Sequence, residues 1–384
     1  MNLTASYASL SAEKLPDVLQ LIRTLNVGPV TFFALLKRFG TAAKALDALP
    51  DLSLRGGRAK PLIPYDRDAA LREIEQTKKI GARMIMYGEP DYPQLLQAIH
   101  DPPPIITVWG HAHIWKSRDS VAIVGARNAS ANGCQFAQRI SKELSEQKFL
   151  VTSGLARGID SFAHKGALPH GTVAVIAGGI DNIYPPENEA LYAQIREQGA
   201  IISEQPFGMA PFAGSFPGRN RIIAGMSLGT VVVEAAPKSG SLITAKLALD
   251  YHRDVFAVPG SPMDPRAKGC NQLLRDGAQL TESAGDIIRG LAHWRNFSMT
   301  ESTMPSYITT PLEQPNDSEL GTARDLILEK LSINPVGVDE LIEQCHISAP
   351  AALTVLLELE LAGKLKRSAG NNVSLVARLD EKVA

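Results

Sequence analysis

The chain has 384 residues, 45% of them hydrophobic and 21% charged, a composition that buries a sizeable core and suits two or three domains. Its 39 basic and 40 acidic side chains nearly cancel, so no global field marks a nucleic-acid or membrane partner, and any anion site has to be local. Cys134, Cys270 and Cys345 lie far apart without CxxC spacing, which argues against a zinc site or a disulfide framework and for the reducing cytoplasm.

The opening MNLTASYASLSAEK has neither the basic nor the apolar region of a secretory signal. No run approaches the roughly 18 apolar residues of a spanning helix. Residues 1–80 read as a helical domain. LPDVLQLIRTLNVGPVTFFALLKRFG carries apolar residues at helical spacing, broken at Gly28-Pro29, and the pattern resumes in TAAKALDAL. Helix, glycine turn, helix is the punctuation of a SAM-like or helix-hairpin-helix-like module.

From residue 81 to 292 the period changes. ARMIMYG and PPIITVWG are short β-like runs. Next, SVAIVGAR, FLVTSGLARGID, TVAVIAGGI, AIISE, GTVVVEAA and DVFAVPG alternate with helical segments. Strands that are apolar throughout and alternate with helices predict a Rossmann-like, doubly wound, mainly parallel sheet covered on both faces. The strand order is not readable. Residues 293–318, rich in Ser, Thr, Pro and Asn, read as a linker. Residues 319–384 predict a winged helix: three helices, the last capped by Ser348, with His346 in a turn, then a hairpin with a Gly-Asn-Asn turn in LKRSAGNNVSLVAR.

Ligands of open α/β sheets bind beyond the carboxyl ends of the strands. The residues there are polar and glycine-rich: Gly125 and Arg127; Ser153, Gly154, Arg157, Gly158 and Asp160; Gly178, Gly179 and Asp181; Glu204; Glu234, Ser239 and Gly240; Pro259 and Gly260. Glycine at a strand-to-helix turn brings backbone N–H groups close to an anion, and the next helix adds its positive end. Tight turns alone account for the glycines. They do not call for Arg127, Arg157, Arg219 and Arg221, whose planar donor forks suit phosphate oxygens. In SFPGRNRII, Pro217 suits the first turn of a helix. Arg219, Asn220 and Arg221 follow, beside Phe212 and Phe216. Cations oppose the dipole at a helix start. A polyanion with stackable bases offsets that cost, which is the pattern of a single-strand nucleic-acid site.

The fingerprints of a dinucleotide site, a P-loop and a nucleophile elbow are absent. His164, beside Lys165, is a general-base candidate with no partner visible in the sequence.

The segments VAIVGARNAS, VTSGLARGIDSFAHKGAL, AVIAGGIDNIYPPENEAL, ISEQPFGMAPFAGSFPGRNRIIAGMS, VVVEAAPKSGSLITAKLALDYHRDVFAVPG and GCNQLLRDGA together resemble the DNA processing protein A (DprA/Smf) family over residues 81–290. The resemblance implies a homodimer that binds single-stranded DNA, protects incoming DNA in natural transformation and loads the RecA recombinase onto it. It implies no established catalytic reaction, and no cofactor, metal or membrane partner is expected. The DNA-contact candidates are Gly125, Arg127, Ser153, Gly154, Arg157, Gly158, Lys165, Phe216, Arg219, Asn220 and Arg221, with GGIDNIYPPEN as a further wall.

Two other readings stay open. GMSLGTVVVEAA is similar to the Gly-Thr and Glu pattern of nucleotide phosphoribohydrolases, which would make Glu234 the acid or base of a nucleotide-hydrolysing enzyme; otherwise Glu234 caps amides or pairs with an arginine. A scaffold holding a signalling nucleotide is the other. In the winged helix, residues 349–362 hold Glu358 and Glu360 and no Lys or Arg before Lys364. Groove readers project Arg, Lys, Asn or Gln there. With only Lys364, Lys366 and Arg367 basic, this domain is expected to make protein or auxiliary backbone contacts.

Overall fold

Three amphipathic helices open the described chain: α1 (Leu15–Arg23), α2 (Pro29–Phe39) and α3 (Ala42–Arg55). The chain breaks before α2 because Gly28 is extended and Pro29 takes a first-turn position, where its missing N–H is no loss. Thr41 caps α3 by accepting from the Lys44 N–H. The computed structural model describes residues 7, 9–297, 316–368 and 371–376. A fourth helix, α4 (Arg67–Lys79), leads to the sheet.

Two strands at one end of the sheet come first, β1 (Arg83–Met86) and β2 (Ile105–Gly110), with the short α5 (Gln94–Gln97) between them. The alternation follows: β3 (Ser120–Gly125), α6 (Ala131–Glu146), β4 (Leu150–Ser153), α7 (Ile159–Ala167), β5 (Thr172–Val175), α8 (Glu189–Gln198) and β6 (Ala200–Ser203). It continues through α9 (Ser215–Gly225), β7 (Gly229–Val233), α10 (Gly240–Asp250), β8 (Asp254–Ala257), α11 (Lys268–Arg275) and β9 (Gln279–Leu280), and ends with α12 (Ala284–Gly290) and α13 (Ala292–Phe297). One nine-stranded sheet results, ordered β1-β2-β6-β5-β4-β3-β7-β8-β9. Pairing is parallel from β6 to β9, while β2 runs antiparallel to both of its neighbours.

This order places the site. The chain winds outward from β3 to β6, then returns through α9 to lay β7 on the other side of β3. Connections therefore leave β3 and β7 in opposite directions, and a crevice opens beyond their carboxyl ends. Both sheet faces are sealed. On one face Val121, Ile123, Val151, Val231 and Phe256 pack with Ile140 and Leu144 of α6 and Ile287 of α12. Farther along that face Ala174, Ile176 and Ile201 pack with Leu191 and Ile195 of α8. The strand residues that point the other way, among them Val124, Val173, Val175, Ile202 and Val232, are buried too.

The C-terminal elements are α14 (Asp317–Lys330), β10 (Val336–Gly337), α15 (Val338–Cys345), α16 (Ala349–Leu361), β11 (Leu365–Ser368) and β12 (Asn372–Leu375), with strand order β10-β12-β11. They form a winged helix around Ala323, Ile327, Leu341, Val355 and Leu359. His346 ends α15 in a left-handed conformation and Ser348 caps α16. The wing's Gly370 and most of the expected linker, residues 298–315, lie outside the described residues. The linker's expected start, from residue 293, is instead helical in α13.

The chain divides into two compact units. One combines Leu71–Glu301 with Met1–Ala12; the other combines Glu13–Ala70 with Ser302–Ala384. Among the described residues no helix is long and apolar enough to cross a membrane.

Phe256, on β8, is fully buried in the sheet core. Phe256→Ala is expected to cost about 3–5 kcal/mol, read as a lower urea midpoint for the central unit. An unchanged midpoint would remove this ring from the core.

Candidate nucleic-acid interface

A cleft of ≈ 820 Å³ lies at the carboxyl ends of β3 and β7. The β3–α6 turn, from Gly125 to Asn128, forms one wall. The start of α9 supplies Phe216, Arg219 and Asn220, and the β7–α10 loop supplies Lys238 and Ser239. Ser215 sets the entry of α9: its hydroxyl donates to the Phe212 carbonyl and accepts from the Phe212 N–H. Pro217 falls in the first turn, and Arg219 and Asn220 begin the second.

Arg219 is buried, at 6% exposure, beneath the cleft it lines. Its Nη1 donates to the Val175 carbonyl at 3.0 Å and to that of Gly154. A Cβ at Gly154 would fall 1.7 Å from this nitrogen, so only glycine admits the guanidinium here. Burial lowers the pKa of Arg219 to about 10, which leaves it charged at neutral pH. The neighbouring Asp160 accepts from the Gly154 and Ala156 N–H groups at 3.2 and 3.4 Å. Burial raises its pKa, against the opposing pull of Arg219.

Arg127 stands exposed above this layer, with its guanidinium 4.9 Å from the centroid of Phe216. Tyr184 tilts against Phe216 at 5.9 Å and is 42% exposed. Among the described residues, no carboxylate lies within salt-bridge distance of Arg127 or Lys238. The turn carrying Arg127 is set from below. Gly158 opens α7 at φ +72, and a Cβ there would lie 2.3 Å from the Ala126 carbonyl. The Ile159 N–H donates to that same carbonyl at 3.2 Å. A smaller recess beside the cleft is lined by Arg127, Gly154, Arg157, Tyr184, Phe216 and Arg219. The GGIDNIYPPEN segment adds Asn182 to it, and Arg157 pairs with Glu187 at 3.5 Å.

Not every candidate reaches the cleft. Arg221 points away: Nη2 donates to Glu204 and Nη1 to the Asp101 carbonyl, while Tyr251 donates to Asp101 Oδ1 at 2.7 Å. Burial works against its charge, but Glu204 and Asp101 outweigh that and raise its pKa above the ordinary arginine value. The cause is helical geometry, since two residues along a helix turn the side chain by roughly 200°. Ser153 is fully buried and donates to the Ile123 carbonyl at 2.6 Å, stitching β4 to β3. Lys165 lies outside the cleft lining, its ammonium 4.7 Å from the Phe162 centroid. Phe212 is exposed but lines neither cavity. Asn220 faces the cleft and also donates to the Gly240 carbonyl at 3.3 Å, holding α9 against α10.

Glu234, at a positive φ of 53, accepts from the Ser130 N–H at 2.8 Å and from its hydroxyl. Ser130 in turn caps α6 through the Gly133 N–H. The carboxylate thus clamps the turn that carries Arg127. His164 is fully buried, with Nδ1 2.9 Å from Thr172 Oγ1, and burial pushes its pKa down to about 3. Sequence reading passed over Lys238 and Arg266, which also line the cleft. The signal for Lys238 was its place beside Ser239 and Gly240, already read as strand-end residues. Among the described residues, no cluster of three or more His, Cys, Asp or Glu side chains is placed to hold a metal.

Comparison with known proteins gives three matches along the chain. The family described as DNA recombination-mediator protein A covers residues 83–292, a DprA-like N-terminal HHH domain covers 12–75, and a DprA winged helix domain covers 311–371. Protein Smf of Synechocystis is 34% identical over 77% of this chain and 81% of its own. DNA processing protein DprA of Bacillus subtilis is 39% identical over 60% and 78%. The X-ray structure of DNA processing protein A from Streptococcus pneumoniae superposes with a TM-score of 0.62 at 30% identity, covering 72% of this chain and 98% of that one. The Helicobacter pylori DNA processing protein A, whose structure is described for its single-stranded DNA binding mode, gives 0.51 at 29% identity, covering 55% and 96%.

Arg221→Ala leaves Glu204 and Asp101 without their cation and should cost about 3–5 kcal/mol, measured by urea unfolding. A neutral outcome would contradict the anchoring role. For His164, the unfolded chain takes up a proton near pH 6.5 and the folded chain only near pH 3. Between those values the unfolded state binds more protons, so stability falls as the pH drops from about 6.5, by up to about 1.4 kcal/mol per unit. From pH 7 to pH 5 the parent should lose more stability than His164→Gln; equal losses would refute the assignment.

Proposed function

The chain belongs to the DNA processing protein A (DprA/Smf) family, and from that premise we propose that its central unit binds single-stranded DNA in the cleft between β3 and β7. One observation carries the reading. An open trough at the switch of strand order combines unpaired cations, Arg127 and Lys238, with an aromatic face, Phe216. Phosphates lie against the cations and the nearby turn amides, and bases stack on Phe216 and Tyr184. Arg219 sits below as a fixed charge. The H. pylori relative is described for the same class of ligand.

The finer role follows the family. The protein shields incoming DNA in natural transformation, hands the strand to the RecA recombinase, and works as a homodimer in the cytoplasm. It acts by binding, without a chemical step. Glu234, the residue a nucleotide hydrolase would use, spends both carboxylate oxygens on Ser130.

Gel-shift titrations over a salt series test the site. Each phosphate contact contributes about 0.7 to the log–log salt slope for single strands. Arg127→Glu and Lys238→Glu should each lower the slope by about that amount and weaken binding to every sequence alike. Affinity and slope that survive both changes would place the strand elsewhere.

A further inference from the structure

The winged helix carries its groove-reading helix, α16, in an unusual setting. One face of α16, through Ala352, Val355, Leu356 and Leu359, builds the core of the winged helix itself. On the opposite face Leu357, Glu358 and Leu361 are also buried, at 4%, 0% and 0% exposure. What covers that face is the N-terminal helical module of the same unit. A Cβ on Gly56, at the end of α3, would lie 2.0 Å from the Glu358 carbonyl oxygen and 2.8 Å from Ala362 Cβ, so the two backbones meet with no side chain between them. Asn26, in the turn before α2, donates to the Leu361 carbonyl at 3.3 Å.

Lys366 of the wing stays exposed, but the other charged side chains around α16 are occupied within the unit. Glu358 pairs with Arg324 of α14 at 2.5 Å. Arg367 of the wing donates to Glu360 at 3.0 Å. The Lys364 ammonium lies where a Cβ on Gly57 would be 2.2 Å away. The exposed start of α16 offers Ala349 and Leu353, neither of which bonds a base edge. A helix apolar on all sides needs cover on all sides, and α16 has it from Val355 onward.

We propose that the reading face of this winged helix is consumed inside the chain: α16 is the docking surface for the N-terminal helical module, so the two ends form one clasped body and the domain reads no DNA groove. This is independent of where single strands bind.

Hydrogen exchange on the full-length protein tests it, because opening the clasp unmasks two segments some 300 residues apart in sequence. Gly56→Val should raise exchange at least tenfold in residues 357–364. Gly28→Ala should leave it unchanged, since a Cβ there meets nothing. Ala362→Glu, made from the other side, should raise exchange in residues 52–57 and serves if the first variant does not fold. Adding a short random-sequence duplex to the parent should leave residues 52–57 as protected as before. Unchanged exchange in both clasp variants, or a duplex that deprotects residues 52–57, overturns the proposal.

Discussion

The functional end of this protein depends on one buried guanidinium. Arg219 reaches from α9 to the carbonyls at the ends of two strands, and nothing larger than glycine at position 154 would let it in. A charge in so dry a place is supported by the neighbouring Asp160 carboxylate and by the two carbonyl oxygens to which it donates. That requirement fixes α9 across the rim of the sheet. With α9 fixed, Phe216 stands at the cleft and Arg127 lies over its face. Arg221, on the far side of the same helix, performs the complementary task by locking α9 to Glu204 and Asp101. The two arginines of one short motif therefore do different work, and only the first borders the site.

Around this anchor the cleft is divided between buried and exposed charge. Arg219 is held and its field is permanent. Arg127 and Lys238 are exposed at the cleft's rim, where solvent reaches them. Such an arrangement suits a flexible polyanion better than a small cofactor, which demands several donors at set positions. It also reconciles the proposed binding with an almost zero net charge, since the positive side chains gather at one crevice rather than spread over the surface.

Much of the fold was legible because parallel strands covered on both faces must be apolar along their whole length, and SVAIVGAR or TVAVIAGGI can hardly be anything else. The order of those strands was not legible, since it depends on which neighbours each crossover selects. The same limit separates the site residues. Gly125, Arg127, Gly154 and Arg219 lie where strand-end logic puts them. Arg221 and Ser153 were misplaced because a linear motif does not show which way each side chain turns. Lys238 sits between Glu234 and Ser239 in a loop already read as strand-end; that the loop lies opposite Arg127 became visible only with the strand order. The all-round apolar character of APAALTVLLELEL was visible from the start; the identity of its second partner was not.

The central claim is that a single DNA strand runs through the crevice between β3 and β7 over Phe216. Photo-cross-linking with a bromouracil-substituted single-stranded oligonucleotide, followed by peptide mapping of the full-length protein, tests it most directly. The account predicts cross-links in the peptides that hold Phe216 and Tyr184. Cross-links confined to the winged helix or to the N-terminal helices would contradict it.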